Sequence, residues 1–294
     1  MFLQTSRSMG LAGAASFFAL AVSGCTTPAP QAAQATSAAA EVAATASSGT
    51  PSEPGLCLAS GPQTPRDIAS VYGLNPIKFD IAPGPETLNL CNIHSHTNAE
   101  HKAPGFSVLA GDRSSGGYQC NETAELTEAE LVDPAGGQGA FKGVKPGDTI
   151  EVHWVYSSCD VTPGEGLGSC LSDSCENPTL RVEAQAFLVV NDTSAINFND
   201  YVYDNTVING RHQPKALPVG TGTPVVFRGS TTGPAFDQST CSPLQVTWSV
   251  RPMCARVDIN SLNQWAAKGN VFKETTSHGV RELVTAPELL SQIE

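Results

Sequence analysis

The sequence is short of positive charge: 16 Lys and Arg stand against 28 Asp and Glu, for a formal net charge of −12. A phosphate backbone needs a basic surface, so nucleic acid is argued against as a partner. No apolar run is comfortable as a membrane span. The longest, Met9 to Val22, is short and rich in Ala, Gly and Ser. There is no G-x-S-x-G, no Walker loop and no H-E-x-x-H, which leaves serine hydrolysis, nucleotide chemistry and common zinc proteolysis without support. Self-similarity at a fixed period is absent, so a repeat architecture is not expected.

What is present begins with an export signal. Arg7 precedes the Met9–Val22 run, which ends at Val22-Ser23-Gly24-Cys25. A cationic start, a short apolar core and small residues at a cleavage point make residues 1–24 a signal peptide. Cysteine directly after those small residues resembles a bacterial lipoprotein box, in which Cys25 carries the lipid. The expected protein is exported to the cell envelope, faces the periplasm or exterior, and is anchored without spanning the membrane. Residues 25–56 are Ala, Thr, Ser, Pro and Gln with hardly a large side chain, a composition that cannot offset its ordering entropy and reads as a disordered tether. The remainder, 57–294, is long enough for one sizeable core.

Beyond Cys25 the chain has Cys57, Cys91, Cys120, Cys159, Cys170, Cys175, Cys241 and Cys254. An even set in an exported domain predicts up to four disulfides, with the pairing open. A thiolate zinc site on Cys159, Cys170 and Cys175 is the rival, but the paired C-x2-C knuckles of structural zinc are missing. Strands are expected over 149–156, where Ile150, Val152, Trp154 and Tyr156 alternate with Glu151, His153 and Val155, and over 87–97, 180–190, 223–228 and 244–250. Short helices are expected over 127–132, over 261–268 with Ser261 as N-cap, and over 286–293 with Pro287 in the first turn. The fold class is therefore mainly β, leaning to α+β: a single sheet-rich domain with long disulfide-stapled loops and a few short helices.

Three of the 6 histidines sit in one phrase, Asn92-Ile-His94-Ser-His96-Thr-Asn-Ala-Glu100-His101. Side chains alternate along a strand, so His94 and His96 project to one face and can grip one metal ion. His153 is the natural third ligand from a neighbouring strand. Glu151 shares its face and can accept the spare imidazole proton, the partner that metal-bound histidines usually need. The same residues would also serve as the wet face of a half-exposed strand.

The phrase from Asn92 to His101, followed by Glu151-Val-His153-Trp, resembles the delta-class carbonic anhydrases and their bacterial relatives, which carry H-x-H-x3-E-H. The similarity extends into the region 251–284. One departure is Ser95, where the family has an aromatic residue; it should point away from the metal and affect packing more than coordination. The resemblance implies Zn2+ held by His94, His96 and His153 with water in the fourth position, its pKa lowered to about 7, and hydroxide attack on carbon dioxide to give bicarbonate. Glu100, His101 and Glu151 are the expected catalytic helpers: Glu100 orients the reacting hydroxide or holds a ligand, and Glu151 fixes His153. A proton must reach solvent, with His101, His212 and His278 as candidates.

Two other readings fit the residues. A cupin-like metalloenzyme would use His94, His96, Glu100 and His153, although the glycine expected after its glutamate is absent. A non-catalytic, lipid-anchored metal-binding envelope protein is suggested by Val144-Lys-Pro-Gly-Asp-Thr-Ile-Glu-Val-His153, a turn and strand like those of small copper-binding β-sandwiches. The usual Cys/Met ligand group of those proteins is not evident.

Overall fold

Nine consecutive buried residues, Thr149–Ser157, form the centre of the molecule. The structure, a computed structural model, describes residues 55–111, 116–230, 235–242 and 244–294. The signal peptide, Cys25 and the Ala/Thr-rich stretch as far as residue 54 lie outside the described residues. In chain order the strands are β1 (Asn89–Thr97), β2 (Phe106–Leu109), β3 (Tyr118–Cys120), β4 (Thr149–Ser157), β5 (Leu180–Val190), β6 (Val207–Ile208), β7 (Arg211–His212), β8 (Val225–Ser230), β9 (Gln245–Val250) and β10 (Ala255–Asp258), followed by helix α1 (Ile259–Ala267). The main sheet runs β1-β4-β5-β9-β8. β10 is parallel to the far end of β5, beyond the stretch that β9 occupies. β2–β3 and β6–β7 form two small separate sheets.

Period-two alternation on β4 divides two cores. Ile150, Val152, Trp154 and Tyr156 join Leu90, Ile93, Phe187, Leu262 and Trp265 on one side. Val155 joins Val182, Ala184, Phe227 and Trp248 on the other. Glu151 and His153 share this second face and are 0% and 1% exposed. The wet-face reading of these two residues is thereby overturned: both are buried, and the Trp248 ring from β9 of the same sheet packs 5.2 Å from that of His153. Burying a carboxylate and an imidazole is costly unless they are paired, so this face calls for a polar explanation.

The protein is mainly β, as its composition and alternation predict. The expected helices fare less well. Thr127 and Glu130 form the reciprocal cap that a helix start needs, with Thr127 N–H and Oγ1 both donating to Glu130 Oε2. The chain makes only one turn there, because Pro134 follows and cannot continue a helix. α1 starts earlier than expected, and Asp258, not Ser261, is its N-cap, accepting from Asn260 N–H. Ser261 lies inside the first turn, where its hydroxyl donates to the Asp258 carbonyl and accepts from Phe198 N–H. The terminal helix shrinks to one 3-10 turn, Pro287–Leu289. β10 has no counterpart among the expected strands.

Four disulfides use all eight remaining cysteines: Cys57–Cys241, Cys91–Cys170, Cys120–Cys254 and Cys159–Cys175. The thiolate zinc site on Cys159, Cys170 and Cys175 is therefore excluded, since none of the three is free. Among the described residues, no helix is long and apolar enough to cross a membrane.

Candidate metal centre

β1 and β4 pair antiparallel with His94 directly opposite His153 and His96 opposite Glu151. Directly paired residues point to the same face, so register alone gathers His94, His96, His153 and Glu151 above the second core. The ring centroids of the three histidines lie 4.7–5.2 Å apart. Each offers a nitrogen within 4.8 Å of the others, a group able to hold a metal ion. A second group, Glu100, His101 and His153, meets the same criterion deeper in the protein and shares His153.

Hydrogen bonding fixes which nitrogen two of the three rings present. Asn92 donates its amide N–H to the Gly164 carbonyl at 2.9 Å. That orients its Oδ1 as an acceptor, 2.7 Å from His94 Nδ1. His94 therefore carries its proton on Nδ1 and leaves Nε2 with a free lone pair. His96 Nδ1 lies 3.3 Å from the Gly279 carbonyl, which can only accept, so Nε2 is again the free nitrogen. That Nε2 is buried and has no hydrogen-bond partner, as a ligand nitrogen would be. His153 Nε2 lies 3.5 Å from Glu151 Oε1 and 4.0 Å from Glu100 Oε2 and, like His96 Nε2, is buried without a hydrogen-bond partner. Burial holds all three imidazoles below the ordinary histidine range, and neighbouring imidazoles add to the shift: His153 and His96 on His94, His278 on His96, and His96 on His153. They are neutral at pH 7, the form in which imidazole ligates.

Glu151 is the hub beneath them. One oxygen accepts from the backbone N–H groups of Glu100 at 2.5 Å and His101 at 3.2 Å. The other lies 3.1 Å from His101 Nδ1. Burial opposes its ionisation, yet His101 and then His153 outweigh that effect and hold the carboxyl well below its usual range. His101 is fully buried against Trp248 and Phe227. It does not line the cavity, so the structure places it as a support for Glu151 rather than on a path to solvent. His212 is elsewhere, on β7, with its ring against Tyr203. Glu100 is brought to the centre: Oε2 lies 3.8 Å from His96 Nε2 and 4.0 Å from His153 Nε2, and neither oxygen is hydrogen-bonded. Burial pushes its carboxyl up, although His153 and His101 partly oppose this.

A cavity of about 640 Å³ opens over His94 and His96, with Leu167, Phe272 and Val280 among its walls. Ser95 faces the opposite side of β1, as expected, and there its N–H and hydroxyl both donate to Glu274 Oε1 at 2.8 and 3.0 Å. Glu274 Oε2 lies 3.2 Å from His278 Nε2, and this contact raises the His278 pKa above its ordinary value. Asn92, Gly279 and Glu274 had no role in the reading of the sequence. Only Asn92 carried a signal, by sitting two residues before His94 on the same face.

A sequence model of the delta carbonic anhydrase family matches residues 85–261, which includes β1, β4 and all three histidines. The chain belongs to the delta carbonic anhydrases. Two solved structures are similar at a distance. The alpha-carbonic anhydrase of Photobacterium profundum is 16% identical, with 74% of this chain and 85% of that chain covered and a TM-score of 0.23. The alpha-carbonic anhydrase of Thermovibrio ammonificans, in complex with the inhibitor sulfanilamide, is 13% identical, with 75% and 87% covered and a TM-score of 0.23. The comparison with curated proteins yields no match. For a delta carbonic anhydrase the residues from Phe272 onward, which wall the cavity, lie beyond the segment that the family model matches.

Proposed function

We propose that the chain is a zinc-dependent carbonic anhydrase that interconverts carbon dioxide and bicarbonate, exported and held at the cell envelope by a lipid on Cys25. The observation that carries this reading is the trio of neutral imidazoles gathered on one sheet face, two of which, His94 and His96, line an open cavity. His94 and His96 present Nε2 to it, each with Nδ1 engaged by an acceptor. Three neutral nitrogens leave the charge of a dication undiminished, and zinc held there supplies the Lewis acidity that makes a water acidic near neutral pH.

The other residues prepare that chemistry. Asn92 and the Gly279 carbonyl set the tautomer and direction of His94 and His96, and Glu151 stands 3.5 Å from His153 Nε2. His101 and two backbone N–H groups hold Glu151 in place. Leu167, Phe272 and Val280 offer an apolar wall suited to an uncharged, nonpolar gas. A proton released at the floor leaves through His278, which lines the cavity, is half exposed, and has its ring centroid 6.5 Å from that of His94. Glu100 stands beside two ligands, so a four-ligand, cupin-like centre is the alternative. Absorption spectroscopy of the bound metal separates the two, with three nitrogens and a water expected here and an added carboxylate oxygen there.

The direct test pairs metal analysis with a stopped-flow carbon dioxide hydration assay. About one zinc per chain and rapid hydration are expected for the wild type. His94→Ala should lose both activity and most of the metal. Full zinc occupancy with hydration intact in that variant would remove His94 from the centre.

A further inference from the structure

The segment from His278 to Arg281 is laid along the outer edge of β1 and fixed there. His278 N–H donates to the Ser95 carbonyl at 2.8 Å, and its own carbonyl accepts from Thr97 N–H at 2.6 Å. Gly279 supplies the carbonyl that faces His96 Nδ1. Downstream, Val284 N–H donates to the Pro65 carbonyl at 2.8 Å. Between these anchors Arg281 is held on the wall of the cavity that His94 and His96 also line.

Arg281 is unlike the other buried arginines. Arg66 donates to the carbonyls of Ser291, Ser70 and Tyr72. Arg251 donates to the Pro218 carbonyl and to Glu183. Arg281 is only 8% exposed, yet Nε, Nη1 and Nη2 all lack a hydrogen-bond partner. Glu100 and Asp237 are the acidic groups that act on it electrostatically, and neither is hydrogen-bonded to it. Two carboxylates within electrostatic reach offset part of the charge, but a guanidinium removed from water with all its donors unused remains costly. A ligand of opposite charge relieves that cost.

We propose that Arg281 is the anion-binding residue of this site and receives bicarbonate, the charged partner of the reaction, in the cavity beside His94 and His96. The proposal rests on the carbonic anhydrase reading for the identity of the anion. The chemistry matches: bicarbonate presents two oxygens in a plane, and a guanidinium presents two parallel N–H groups in a plane. Carbon dioxide has no charge for Arg281 to attract. The arginine thus discriminates between the two carbon species and makes the cavity receptive to other small planar oxyanions. It sits on the strap that sets His96, so the anion and the ring share one support.

The test uses the full-length protein, metal-loaded and metal-stripped, with 13C-bicarbonate as the probe and its NMR exchange broadening as the readout. Wild type is expected to bind bicarbonate in both forms. Arg281→Met, which fills the space without charge, should weaken binding in the stripped form at least tenfold, and Arg281→Lys should stay within about tenfold of wild type. Circular dichroism and a count of free thiols establish that the variants fold. Equal binding by wild type and a folded Arg281→Met would overturn the proposal. So would loss of all binding on stripping wild type, which would assign the anion to the metal alone. If Arg281→Met does not fold, Arg281→Lys decides: loss of binding in a folded Arg281→Lys overturns the charge-based role. Absence of carbon dioxide hydration in the loaded wild type, with the Arg281 dependence intact, would remove the enzymatic reading and keep the anion site.

Discussion

Asn92 is a small residue with two separate obligations. Its amide group must donate to Gly164, and that leaves its oxygen to accept from His94. Substituting alanine removes both contacts, and His94 is then free to rotate and to exchange tautomers. Loss of such an outer partner typically lowers metal affinity about 10–100-fold. Competition with a chelator of known affinity should therefore give a dissociation constant for Asn92→Ala weaker by about that factor. An unchanged constant would mean that the strand alone orients the ring. Asn92→Asp keeps the acceptor but repels the Gly164 carbonyl, so an intermediate value is expected.

At the scale of elements, the pairing of β1 with β4 does most of the assembly. The alternation in Ile150-Glu-Val-His-Trp-Val-Tyr156 and the H-x-H spacing of His94 and His96 were both legible in the sequence, because a strand's period of two is written directly in residue order. That His94 faces His153 was not, since register depends on a bulge between Leu90 and Asn92 that no local pattern announces. The strap over 274–281 was legible least of all. β1 is the edge of the sheet, and its outer N–H and C=O groups need cover. They receive it from Glu274 and His278, some 180 residues away in the chain. Ser95 illustrates the point. Read alone it is a departure from an aromatic position, but in the fold it is one end of a Ser95–Glu274–His278 chain. Glu274→Ala leaves the buried Ser95 N–H without an acceptor and should cost about 1–3 kcal/mol in urea unfolding. Glu274→Gln can still accept from Ser95 and should cost less. Equal losses for the two would mean that charge, not the acceptor, matters at this position.

For the molecule as a whole, four disulfides surround the sheet, and two of them bear on the cavity. Cys91 precedes Asn92 on β1, and Cys170 ends the short turn that begins at Leu167, while Cys159–Cys175 closes the base of the same loop. The buried titratable groups give the whole fold a pH dependence. His94, His96 and His153 have pKa values lowered below 6.5 by burial. As pH falls through 6.5 the unfolded chain gains protons that the folded chain refuses, so stability declines on acidification. Glu151, held below 4.5, adds a loss of the same sign once pH falls below that value. Glu100 and His278 act in the opposite sense, since their raised values favour the folded state at lower pH. Just below 6.5 the three buried histidines all act in the first sense. Calorimetry of the metal-stripped protein should thus give a higher Tm at pH 7.5 than at pH 5.5, and a flat or reversed profile would contradict the assignment of buried neutral imidazoles.

The long reach of the strap also bears on time. Glu151 joins Glu100 across 51 residues, whereas Gly279 joins His96 across 183. Closing the longer loop costs more chain entropy, and folds ruled by such distant contacts form slowly. The β1–β4 pairing that gathers the three ligand histidines therefore closes a shorter loop than the strap does. A chain cut short before residue 274 would lack His278 and Arg281, and with them the wall that turns a cluster of rings into a cavity.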